Sequence, residues 1–142
     1  VVYMRYAEVL LNYAEAVAMG GSAGAMSGLE ALNLVRNRAG LQNAPALDMN
    51  NEKYGIKAER RAELYGEGHR FIDLVRWGDA PQVLADCGKQ AVTFNGLKED
   101  GSFDIVLSST GGTGFKSGKN ELFPIPITDK NNNPGLVQNP GW

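Results

Sequence analysis

Cysteine and histidine are almost missing from the 142 residues: Cys87 and His69 are the sole examples of each. One cysteine excludes an internal disulfide framework and a cysteine-rich zinc site. One histidine, with neither serine nor cysteine close to it in sequence, leaves no local nucleophile–base pair. Long apolar runs are missing as well. The longest uncharged stretch, 16–29, is 14 residues long and rich in glycine and serine, too short and too polar to span a bilayer. A surplus of one charge is also lacking. Fourteen basic and 16 acidic residues leave a net charge of −2, no field for a polyanion, so nucleic acid is not an expected partner. The chain opens without methionine or a basic leader, directly in a helical pattern, and is therefore expected to be a fragment of a longer protein. What is present, 43% hydrophobic and 21% charged residues, is the composition of a folded domain.

Periodicity predicts helices over most of residues 1–86. In 3–19, Tyr6, Val9, Leu10, Tyr13 and Val17 form one apolar row, and Ala7, Leu11, Ala14 and Ala18 a second. Between them runs a polar stripe of Arg5, Glu8, Asn12 and Glu15. After a flexible 20–28 connector, Ser27 and Glu30 have the spacing of a capping box for a helix that buries Leu29, Leu32 and Val35 and stops at Gly40. The two helices make a hairpin about as long as one tetratricopeptide unit of roughly 34 residues. A third helix is expected from Asn50 or Asn51 to about Tyr65, and a fourth from His69 to Trp77. Residues 87–142 read differently: β-rich 90–94 and 103–107 with turn signals at Asn95-Gly96 and Asp100-Gly101, then a glycine-rich loop. An extended or edge-strand 122–126 and a C-terminal coil complete the chain. The fold class is mainly α, tetratricopeptide-like helical hairpins with a small extended β appendage.

Familiar site motifs fail on their spacing. Thr113 and Asn120 stand where a phosphate-binding loop ending in Gly118-Lys119 needs glycine and a hydroxyl. Asp129, Asn131 and Asn133 begin like a calcium loop, but Pro134 and Pro140 occupy its essential glycine and glutamate positions. No metal, cofactor or catalytic residue is assigned. The densest chemistry lies in 57–76, with Glu59, Arg60, Arg61, Glu63, Glu67, Gly68, His69, Arg70, Asp73, Arg76 and Trp77. Glu59, Glu63 and Glu67 recur every four residues, a repulsive row on a lone helix. Arginines must neutralise it, and by chain reach Arg60, Arg70 and Arg76 are expected to do so in an internal ionic lock rather than in a hydrolytic carboxylate pair.

Four blocks resemble the SusD/RagB family in the same order. They are 6–16 (YAEVLLNYAEA), 31–41 (ALNLVRNRAGL), 59–64 with 66–78 (ERRAEL, GEGHRFIDLVRWG), and 122–126 with 133–142 (LFPIP to QNPGW). The resemblance implies the C-terminal portion of a lipid-anchored, cell-surface nutrient-binding protein of the outer membrane of Bacteroidetes. It implies a fold of tetratricopeptide-like helix pairs, no catalysis and no cofactor. The implied partners are a SusC-like TonB-dependent transporter and an oligosaccharide or polysaccharide, bound mainly through residues upstream of this portion. No binding residue transfers to this sequence. A tetratricopeptide-type protein-interaction module is the alternative.

Overall fold

In the computed structural model, which describes residues 4–142, the order of elements is α1 (Tyr6–Ala18), α2 (Gly28–Arg38), α3 (Ile56–Glu63), α4 (His69–Arg76), α5 (Ala80–Val83), β1 (Gln90–Leu97), β2 (Phe103–Ser109) and α6 (Ile127–Asn132). The chain divides between Arg70 and Phe71 into two compact units. Most of the regular structure is helical, with one small antiparallel sheet. No helix of the described residues is long and apolar enough to cross a membrane.

In the first unit, α1 packs on α2 and on α3. The Ser27 side chain accepts from the Glu30 backbone at 3.1 Å, and the Glu30 carboxylate accepts from the Ser27 backbone at 2.7 Å, so the expected capping box opens α2. Both helices close alike. Gly20 and Gly21 donate back to Val17 and Ala16, and Gly40 and Leu41 to Asn37 and Arg36, the paired bonds that satisfy orphaned carbonyls at a helix end. The core is one cluster, Ala7, Leu10, Leu11, Ala14, Ala31, Leu32, Val35, Ala44, Ile56 and Leu64. It departs from the pattern of apolar rows. Tyr6 and Val9 are exposed, whereas Glu8 and Glu15 of the polar stripe are buried. The third helix also begins later than expected. Asp48 Oδ1 accepts from the backbones of Asn50 and Asn51, and Asn51 Oδ1 from those of Lys53 and Tyr54. These Asx turns compete with helix, which starts only after Gly55.

In the second unit, β1 and β2 pair in antiparallel register, Gln90 opposite Ser109 through Leu97 opposite Phe103. Only Asp100-Gly101 makes the turn. Lys98 donates to Ser102, and Asp100 Oδ1 accepts from both the backbone and hydroxyl of Ser102. Asn95-Gly96, expected as a second turn, lies instead where the register shifts, as a bulge. The glycine-rich loop is bound tightly along the chain before the hairpin: Thr110 donates to Lys89, and Phe115 to Leu84. A Cβ on Gly112 would stand 1.9 Å from the Gly88 oxygen, so only glycine fits that approach. Residues 122–126 form no strand. The Gln138 amide takes the place of a neighbouring strand, accepting from Ile125 N at 2.7 Å and donating to Ile125 O at 2.9 Å. The C-terminal segment is not all coil, because α6 follows Pro126.

Candidate functional site

The first unit concentrates its polar chemistry where α3 and the start of α4 meet α1 and α2. Gly66 and Gly68, both at positive φ (78° and 86°), turn the chain between α3 and α4, a conformation that a Cβ would strain. The row Glu59, Glu63 and Glu67 is neutralised by arginines from outside the motif. Glu59 and Arg36 form a buried ion pair, and Arg36 also donates to the backbone oxygens of Gln42 at 2.8 Å and Lys53 at 3.3 Å. Glu63 is gripped from two sides, by Arg5 at 2.6 Å and Arg38 at 2.6 Å. Arg5 also binds Glu67 with two nitrogens, at 3.0 and 2.6 Å, and the Glu63 carbonyl at 2.7 Å. The planar guanidinium fork suits such multiple bonding, which a lysine could not reproduce.

The polar stripe of α1 supplies the rest of the frame. Arg60 donates to Asn12 Oδ1 at 2.5 Å and lies 3.8 Å from Glu15. His69 Nδ1 lies 3.8 Å from Glu8 Oε1, a contact that becomes an ion pair when the imidazole is protonated. Arg5, Glu8, Asn12 and Glu15 thus all face residues of the 59–69 block. The acidic row is paired with arginines, but with Arg5, Arg36 and Arg38 and not with the expected Arg60, Arg70 and Arg76. Arg60 serves Asn12 and Glu15, Arg76 serves Asp73 at 2.9 Å in the second unit, and Arg70 is half-buried at the start of α4. Arg61 is exposed. Arg76 also lies over the Trp77 ring, 4.8 Å from its centroid. Arg5, Arg36 and Arg38 were missed as partners. Their signal was available in the stripe of α1 and in Arg36-x-Arg38, but nothing local says which acid each arginine meets.

The frame divides the carboxylates electrostatically. Burial pushes Glu59 up, and Arg36 only partly offsets it. At Glu63 burial acts in the same sense, but hydrogen bonds from Arg5 and Arg38 together outweigh it and hold the group below the usual carboxylate range. The Arg5 hydrogen bonds hold Glu67 low too, and Glu67 and Glu63 in turn raise Arg5. All three acids are engaged by arginine. Among the described residues no group of three or more histidine, cysteine or acidic side chains gathers at metal-binding distance. Asp129 lies in α6 rather than in a calcium-binding loop.

Two open grooves flank α2. One, of about 390 Å³, runs between α1 and α2 over Tyr6, Leu10, Leu34 and Val35, with Arg5 and Arg38 at its edge. The other, of about 480 Å³, is lined by amides of Asn33, Asn37 and Asn43 together with Met26 and Leu34, and by no aromatic ring. Asn33 is already committed, exchanging hydrogen bonds with the Ala44 backbone.

No protein of curated function matches the sequence. Two solved structures are similar over nearly the whole chain. The protein named BT4246 is 30% identical with a TM-score of 0.68, over 98% of this chain and 23% of its own. A SusD-like protein from Bacteroides fragilis NCTC 9343, BF3747, is 26% identical with a TM-score of 0.67, over 99% of this chain and 26% of its own. The chain therefore spans about a quarter of the length of these relatives. The sequence model of the SusD family matches residues 1–142, the same range that carries the interlocked 59–69 block and the two amphipathic helices that hold it, and the chain belongs to the SusD family.

Proposed function

We propose that the chain is the C-terminal portion of a non-catalytic glycan- or nutrient-binding protein held at the outer-membrane surface by a lipid anchor and acting with a TonB-dependent transporter of the SusC type. The carrying observation is family membership over the full 142 residues. The site chemistry agrees with it: the acids of the 59–67 row are all engaged by arginine, which leaves no free carboxylate pair there for glycoside hydrolysis. The portion is a scaffold, and residues 1–86 are read as tetratricopeptide-like hairpins beneath the ligand site. Sugar sites need aromatic rings and polar groups converging in a concavity. The amide groove along α2 has no ring, and the groove between α1 and α2 has the ring of Tyr6 but its charged groups, Arg5 and Arg38, are engaged by Glu63 and Glu67.

Electrophoresis in polysaccharide-containing gels tests this reading on the natural polypeptide and on the 142-residue chain side by side. The natural polypeptide should be retarded and the short chain should migrate freely. Equal retardation would move the ligand site into this portion, and sugar release from a glycoside panel would overturn the non-catalytic reading. Affinity purification of the natural polypeptide from membranes should recover the transporter. The interaction-module alternative has one observation in its favour, the exposed Tyr6, Val9 and Leu34 on α1 and α2. Recovery of a soluble protein in place of the transporter would favour it.

A further inference from the structure

The β1–β2 hairpin collects six of its eight apolar side chains on one face. Val92 pairs with Leu107 and Phe94 with Ile105, and alternation along each strand puts these four on the same side. Strict alternation past Phe94 would send the next apolar residue of β1 to the wrong face. The bulge at Asn95 inserts one residue, and Leu97, opposite Phe103, rejoins the first four. Phe94 and Phe103 then meet edge to face, 5.8 Å between centroids. All six are 48–67% exposed. The other face carries Thr93, Asp104 and Ser108 with Ala91 and the exposed Val106. A two-stranded hairpin is marginal in water unless its apolar side is covered, so this sequence is patterned for a cover.

We infer that the face seats an apolar surface belonging to the remainder of the parent polypeptide, outside these 142 residues. The inference rests on reading the chain as one portion of a longer protein. Three observations favour that occupant over a second copy. The matched relatives have about three-quarters of their length outside the matched portion, as the 23% and 26% coverage of their chains requires. A stable dimer draws on about 20–30 residues from each partner, and this face offers six; a covalently linked surface needs less, because linkage raises its effective concentration into the mM range. Finally, the buried apolar side chains of residues 71–142 are Leu74 and Ala80, whereas the core cluster lies wholly within residues 7–64, so the second unit has almost no apolar interior of its own to close the hairpin on.

The test compares the natural polypeptide with the 142-residue chain, both carrying Cys87→Ser. Phe94→Cys and Ile105→Cys place single thiols on the apolar face, and Thr93→Cys places one on the other. In the natural polypeptide the two apolar-face thiols should react with a maleimide at least about tenfold more slowly than the Thr93→Cys thiol, and in the short chain all three should react within about threefold. Hydroxyl-radical footprinting of the Phe94 and Phe103 rings in unsubstituted protein gives the same readout if a cysteine variant fails to fold. Equal reactivity of both faces in the natural polypeptide overturns the inference. Protection in the short chain that grows with its concentration overturns it in favour of a second copy. A natural polypeptide whose mass is that of 142 residues overturns the underlying reading instead, so the two failures are separable.

Discussion

The two units are nearly equal in length and held together by different physics. Up to Arg70 the chain closes an apolar core between α1, α2 and α3 and flanks it with arginine–carboxylate pairs. From Phe71 onward stability comes from backbone and side-chain amides: the 110–115 strap on 84–89, Gln138 on Ile125, Asn139 on Phe123, and the Trp142 indole on the carbonyls of Lys119 and Leu122. An aromatic group, Phe71 with Phe115 and Phe123 at 6.5 and 6.0 Å between centroids, adds apolar contact. The contrast teaches that a segment can be ordered by hydrogen bonds with little buried apolar area, but its apolar surface then stays in water.

The sharpest way to break the contrast is to strand a buried charge. Arg36→Met leaves the buried Glu59 carboxyl without its cation, so that it must either carry an unpaired charge or take up a proton to stay buried, and should cost about 3–5 kcal/mol in thermal or urea unfolding. A loss under about 1 kcal/mol, the value of an exposed pair, would make the frame a solvated surface. Next come paired deletions of leucine. Leu11→Ala, at a fully buried position, should cost about 2.7–5 kcal/mol. Leu107→Ala, at 57% exposure, should cost under about 1 kcal/mol in the 142-residue chain, since little apolar area leaves water there. Similar losses at both positions would erase the distinction.

Gly112→Ala probes the second unit alone. Its methyl group meets the Gly88 carbonyl, and the overpacking should cost about 1–3 kcal/mol. Amide exchange at Thr110 and Phe115 should accelerate while exchange in α1 and α2 stays the same; unchanged Thr110 and Phe115 would show that the strap is not held by that approach. Acid acts on the first unit with a sign that differs between acids. Glu63 and Glu67 are held below their ordinary 4.5, so their stabilisation is complete above about that pH and is lost as pH falls through the lowered folded values. Glu59 is held above 4.5, so its ionisation opposes folding above the raised value, and that opposition fades toward lower pH. The melting temperature should therefore drop below about pH 4.5, and Glu63→Gln with Glu67→Gln should flatten that drop or reverse it. An undiminished drop in the double variant would place the acid sensitivity elsewhere. The smallest effect is expected at the cap of α2, where Ser27→Ala should cost about 1 kcal/mol by urea unfolding. No change there would mean that Glu30 alone holds the helix start.

Much of this architecture was legible in residue order because its causes are local. The capping box at Ser27, the stop at Gly40, the His69 helix and the Asp100-Gly101 turn each depend on a few adjacent side chains and their φ preferences. Asn51 shows the limit of that reading. An Asx residue favours a helix cap and a turn alike, and the hydrogen bonds of Asp48 and Asn51 decided for the turn. The bulge at Asn95-Gly96 is similar, since the same dipeptide serves a hairpin turn or a bulge until its partner strand is known.

The family blocks, the amphipathic helices and the need for cations beside the Glu59, Glu63 and Glu67 row were determined by sequence alone. Which cations would answer, and which side of α1 would be buried, were decided by tertiary structure. Arg36 reaches Glu59 across 23 residues, Arg38 reaches Glu63 across 25, and Arg5 reaches Glu63 and Glu67 across 58 and 62. A charge carries no periodicity that names its partner, and any arginine within reach satisfies the same Coulomb requirement. Only the packing of α1 against α2 and α3 brings Arg5, Arg36 and Arg38 within hydrogen-bond distance of those acids, and buries Glu8 and Glu15 of the polar stripe of α1.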